Sequence, residues 1–126
     1  MITQLLEGLA DWDEIRFVVR NQGAIAELCG KPAVRSGEEY LTIEIGAGPD
    51  HLHVQQSALA RAEIADSADR NCFVRFLNAA GDTVLTCYVP RTNRAKSDFD
   101  PARHAAFEAL KARYADKPAV TVLSTT

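Results

Sequence analysis

Cysteine is scarce in this sequence: Cys29, Cys72 and Cys87 are its three copies, and they are scattered. No CxxC pair and no local Cys/His spacing links them, so neither a disulfide framework nor a motif-built zinc site is indicated. Buried free thiols in a reducing compartment are the ordinary reading. No apolar run approaches the length of a membrane span, so no membrane partner is expected. The opening Met1-Ile2-Thr3-Gln4 lacks the basic and apolar regions of a signal peptide, which points to the cytoplasm. Positive charge is not in excess either, with 14 Lys and Arg against 17 Asp and Glu and a net charge of −3. A general nucleic-acid footprint is therefore missing, and no nucleic-acid partner is expected. The densest basic stretch is the short run from Arg91 to Lys96.

What is present is ordinary globular material, 47% hydrophobic and 25% charged over 126 residues. That fits one domain covering residues 1–126. Leu5, Leu6 and Leu9 recur at helical spacing within Ile2 to Asp11. Ile15, Phe17 and Val19 then alternate with Arg16 and Arg20, the period of a half-buried strand. Asn21-Gln22-Gly23 reads as a tight turn with glycine supplying positive φ, and Ala24 to Cys29 returns. Gly30 to Glu39 reads as a loop. Leu41, Ile43 and Ile45 mark a strand, and His51 to Val54 a short one with both histidines on one face. One helical turn at 55–58 precedes an extended stretch from Leu59 to Ala65. The clearest hairpin joins Asn71–Asn78 to Thr83–Val89 through Ala79-Ala80-Gly81-Asp82. Asp100 caps a last helix with Pro101 at its first position, and Phe107, Leu110 and Tyr114 form its stripe. Pro118 stops it, and the β-branched tail from Ala119 reads as a strand or a frayed end. This order predicts an α+β domain, a large antiparallel β-sheet with an N-terminal and a C-terminal helix packed on it. The second sheet face would carry Arg16, Glu44, His51, His53 and Arg75 among Val18, Leu77 and Leu85.

Catalytic signatures are missing: there is no Gly-x-Ser-x-Gly elbow, no glycine-rich phosphate loop and no HExxH. The residues therefore favour a binding protein over an enzyme, and no catalytic residue is assigned. His51 and His53 project one strand period apart, and neutral imidazole is a common ligand of iron, zinc and copper. Two edge histidines bonded to neighbours are the plainer reading of that pair. His104 reads as a helix-surface residue. Tyr88 followed by Arg91 and Arg94 offers an aromatic surface beside guanidinium groups, which suits a flat ligand with carboxylate arms. A strand-edge tyrosine beside a solvated loop is its plainer counterpart.

Four segments, in order, resemble one family. Glu14-Ile15-Arg16-Phe17-Val18-Val19-Arg20-Asn21-Gln22-Gly23-Ala24-Ile25 is similar to the strand-turn-strand opening of the HemS/ChuX/HutX-like proteins of bacterial haem utilisation. Pro49-Asp50-His51-Leu52-His53-Val54 resembles the family's D-x-N-L-H-L element, and Phe73 to Asp82 its L-x-F-F-D-A-x-G-D hairpin. Val84 to Arg91, followed by Phe107-Glu108-Ala109-Leu110, resembles its closing strand, basic turn and final helix. The resemblance implies a half unit of the HemS/ChuX type that pairs as a homodimer. It also implies cytosolic haem binding or trafficking, with haem as cofactor. Carried over by position, it implies His53 as iron ligand, with Tyr88 and Arg91 around the haem propionates; His51 and Arg94, from the residue reading, complete the expected haem-binding set. The chain shows no counterpart of the helical region that precedes the sheet in the longer tandem members. It also reads Ala65-Asp66-Ser67 where the family can offer a lysine or arginine. A fold that has kept its shape, lost haem and serves as a small-ligand or dimerisation module is the second reading. A haem-degrading enzyme with a separate redox partner is the third.

Overall fold

The structure, a computed structural model, describes residues 2–66 and 69–124. A short helix α1 (Ile2–Gly8) runs into a 3-10 turn at Leu9–Asp11, and its apolar stripe places Leu5, Leu6 and Leu9 in the core. Eight strands follow: β1 (Ile15–Arg20), β2 (Ile25–Gly30), β3 (Pro32–Ser36), β4 (Tyr40–Ile45), β5 (His51–Gln55), β6 (Arg61–Asp66), β7 (Phe73–Leu77) and β8 (Thr83–Tyr88). Helix α2 (Pro101–Tyr114) and strand β9 (Val120–Ser124) close the described chain. The strands make a six-stranded sheet in the order β2-β1-β8-β7-β6-β9 and a three-stranded sheet in the order β3-β4-β5. Pairing is antiparallel except at one edge, where β9 runs parallel to β6 after the α2 crossover.

The expected α+β architecture is found, with strands divided between two sheets. Alternation sets the faces. Phe17, Cys87, Val74 and Ile64 stand in register across β1, β8, β7 and β6 on the covered side. Phe107 and Leu110 of α2, Leu5 and Leu6 of α1, and Leu41, Ile43 and Val54 of the smaller sheet join them in one core cluster. Arg16, Val18, Thr86, Tyr88, Phe73 and Arg75 take the opposite, open side. Leu85 belongs to the core instead, fully buried opposite Phe76, because its parity in β8 is that of Cys87. Glu44, His51 and His53 lie on the three-stranded sheet, not on the face that carries Arg16 and Arg75.

Two local expectations are corrected. The stretch expected as a loop after Gly30 contains β3, which pairs with β4 over Pro32–Ser36. Proline is compatible with the first position of such an edge strand because no ladder donor is needed there. The β1–β2 turn does not use glycine's positive φ; Gly23 has none, and Asn21 Oδ1 accepts from the Gly23 and Ala24 amides at 2.8 and 2.9 Å. The β7–β8 turn does require glycine, since Gly81 sits at φ 90°.

Asp100 caps α2 as its sequence predicts, Oδ1 accepting from the Ala102 and Arg103 amides at 3.0 and 3.4 Å, with Pro101 at the first helical position. Asp100→Ala should lower stability by about 1 kcal/mol, the usual cost of losing an N-cap. Urea-unfolding midpoints of the two proteins would measure it.

Candidate functional site

The alternation of β1 creates two different concavities, one on each face. On the side that continues the core, Phe17 and Val19 of β1 meet Ala26 and Leu28 of β2, Val84 of β8 and the whole length of β5. They enclose a groove of about 520 Å³ that Leu52 and Val54 face; His51 and His53 border it at the β5 edge, their rings standing with Thr42 and Glu44 on the other strand face, beside a concavity of about 160 Å³. Val19 is 41% exposed there, so apolar side chains at this end of the larger sheet stand uncovered beside the β5 edge. A mostly apolar cleft with few convergent polar groups is the general form of a small-molecule site.

The two imidazoles are fixed by their Nδ1 atoms. His51 Nδ1 lies 2.8 Å from the Pro49 carbonyl oxygen. That oxygen can only accept, so Nδ1 carries the hydrogen, and in the neutral ring the lone pair is on Nε2. Holding a ligand histidine in one tautomer through a carbonyl on its other nitrogen is a common feature of metal sites. His53 Nδ1 lies 3.0 Å from Thr42 Oγ1, a hydroxyl that can donate or accept, so its tautomer is not fixed in this way. The two rings are edge-on with centroids 5.0 Å apart. Arg35 lies beside them, held by Glu44 at 2.6 Å.

On the open face, Tyr88 lines a second concavity of about 340 Å³ with Arg16, Arg20, Arg70 and Lys96. Its floor continues to Phe73, whose ring lies 5.4 Å from that of Tyr88 and under the guanidinium groups of Arg70 and Arg75 at 5.3 and 4.8 Å. Arg16, Arg20, Arg70 and Lys96 are the basic groups that the sequence reading did not assign to a site. Arg16 and Arg20 follow from the β1 alternation, but the approach of Arg70 and Lys96 depends on tertiary packing.

The expected site residues are thus divided. His51 and His53 border the apolar groove, whereas Tyr88 faces the other side of β1. Arg91 lines neither concavity. Its guanidinium binds Glu14 at 2.9 Å, its backbone sits at φ 64°, and its carbonyl accepts from the Asp100 amide at 2.8 Å. It ties the segment after β8 to the start of β1. Arg94 is exposed and also lines neither concavity.

The cysteines divide as well. Cys72 and Cys87 are buried but Cys29 is exposed on β2, contrary to the expectation for all three. Burial pushes the Cys87 thiol well above its usual pKa and raises that of Cys72 to about 11. His104 is not on the helix surface. Its side chain is 7% exposed and turns inward against Asp66. Ser67, part of the segment that departs from the resembled pattern, lies outside the described residues.

The family model described as "Haem utilisation ChuX/HutX" matches residues 1–110. No curated protein matches the chain. Among solved structures, the haem-binding protein ChuX superposes with a TM-score of 0.68 at 14% identity, over 90% of this chain and 72% of that one. A protein of Erwinia carotovora gives 0.66 at 19% identity, over 88% and 70%. A protein of Agrobacterium tumefaciens gives 0.67 at 24% identity, over 89% and 65%. At these identities the superpositions establish a shared fold.

Proposed function

The chain belongs to the ChuX/HutX haem utilisation family, and from that premise we propose that it binds and carries haem in the cytoplasm, with the β5 groove as the site. The observation that carries this reading is the apolar lining of the groove at the β5 edge, where the His51 tautomer leaves Nε2 free on the strand face that turns away from Leu52 and Val54. Haem is a flat, largely apolar disc with an iron centre, so it asks for apolar walls and a free ligand nitrogen together. Phe17, Val19, Ala26, Leu28 and Leu52 would supply the walls, and the β5 histidines the nitrogen. Resemblance alone favours His53 as the ligand; the hydrogen bonding favours His51, with His53 supporting it at 5.0 Å between ring centroids. The role is binding and transfer, and no catalytic step is assigned to any residue.

Absorbance titration of the purified protein with haemin tests the proposal. The wild type should saturate at one haem per chain with a histidine-ligated Soret spectrum. His51→Ala should abolish that spectrum, while His53→Ala should retain it at an affinity about tenfold lower, the scale expected for a supporting contact around a metal ligand. A wild type with no Soret shift would end the haem reading. A phenolate-type spectrum lost in Tyr88→Phe would move the site to the open face.

We also propose that the chain pairs with a second copy through its sheets. The larger sheet ends in β2 and β9, and the smaller one in β3 and β5. Such edges are stable in solution only when covered, charged or paired. Ile25 at the β2 edge is 55% exposed, an apolar group free to be covered. Sedimentation velocity at micromolar concentration should give a dimer, and a clean monomer would count against it.

A further inference from the structure

At the far end of the larger sheet, away from the β5 groove, three potential ligand atoms converge without any local sequence spacing. They come from Asp66 at the end of β6, Cys72 just before β7 and His104 in the first turn of α2. One oxygen, one sulfur and one nitrogen all lie within 4.8 Å of one another. Cys72 is fully buried, and its thiol donates to Asp66 Oδ1 at 3.4 Å. His104 Nε2 lies 3.4 Å from Asp66 Oδ2, in a side chain 7% exposed, and has no hydrogen-bond partner among the described residues. A buried polar atom left without a partner is costly, and here it is aimed at a carboxylate and a thiol. From this convergence we infer that Asp66, Cys72 and His104 form a structural zinc site that clamps the start of α2 to the ends of β6 and β7.

The donor set fits that metal. Zinc takes thiolate, imidazole and carboxylate together, and its structural sites are four-coordinate. Water is available for the fourth position, since Glu108 Oε1, 3.7 Å from His104 Nε2, is engaged by Lys111. The nearby ammonium of Lys111 is the competing cation. It lies 3.0 Å from Glu108 and 3.9 Å from Asp66, so Glu108 is its nearer counter-ion. On binding, the Cys72 S–H bond breaks, a sulfur–zinc bond forms and the proton passes to the buffer. No electron transfer is involved.

Cobalt(II) and zinc(II) titrations of the chelator-treated, full-length chain test the assignment. Cobalt should produce the charge-transfer absorption of a thiolate ligand and the intense visible bands of tetrahedral geometry, at one metal per chain. Zinc in equal amount should bleach both. Cys72→Ser should remove the charge-transfer band, and both it and His104→Gln should weaken zinc by at least ~10–100-fold, since even outer-shell changes cost that much. A His51→Ala/His53→Ala protein carrying Cys29→Ser should keep the spectrum and the affinity. Zinc should raise the melting temperature of the wild type and not of Cys72→Ser. A wild type without the thiolate band overturns the site whether or not the variants fold. Equal zinc affinity in Cys72→Ser overturns it too, as does loss of the spectrum in the variant lacking Cys29 and the β5 histidines.

Discussion

Phe76→Ala should destabilise the protein by about 3–5 kcal/mol, the range for removing a buried phenylalanine ring. The ring is fully buried on β7, a strand with neighbours on both sides, and it stands opposite Ala62 on β6 and Leu85 on β8. On the β6 side its partner is the small Ala62, which cannot fill the gap. Typical domains hold only about 5–15 kcal/mol in total, so the loss would remove a large share of the stability. Urea unfolding would show it as a lower midpoint at unchanged slope. A change below about 1 kcal/mol would mean that the helices do not close over this sheet face as the structure has them.

The elements that were legible in the sequence are those whose period is strong and local. The alternation of β1, the β7–β8 hairpin with Gly81 in its turn, and the Asp100-Pro101 start of α2 all lie within a few residues of the groups that fix them. The misreadings share a different property. Leu85 and Thr86 are neighbours in an almost continuous apolar run, so periodicity could not decide which faced the core, and pairing with Phe76 decides it. β3 was obscured by Pro32 and Gly37, which punctuate a loop as readily as they open and follow an edge strand. His104 stands three residues before Phe107, so helical spacing itself puts it on the buried stripe and polarity alone argues for the surface; what spacing does not reveal is Asp66, 38 positions earlier in the chain, which faces it.

The candidate site shows the same division. The sequence placed His51 and His53 on one strand face, and the pairing of β5 with β4 confirms that placement. It could not show that Tyr88 and those histidines lie on opposite sides of β1, because sheet membership is a long-range property. Resemblance to a family orders its elements along the chain but leaves open which of the matched residues share one cavity.

Val19→Glu should weaken haem binding by at least ~100-fold, or about 2.7 kcal/mol, if the β5 groove holds the ligand. Val19 is on the groove wall and 41% exposed, so its replacement opens no cavity in the core. A carboxylate there would be desolvated by the macrocycle with no partner, and burying an unpaired charge is costly. It would also repel the ligand's own carboxylate arms. Stability should change by no more than about 0.5 kcal/mol, as for an ordinary surface substitution. Val18→Glu supplies the control, because the adjacent side chain enters the Tyr88 concavity on the opposite face of the same strand. It carries the same added charge and should leave haem affinity within about threefold of wild type, under 1 kcal/mol. Haemin titrations and melting curves of both variants read the outcome. If Val18→Glu loses haem and Val19→Glu does not, haem sits among the arginines of the open face, and the groove is left for another occupant.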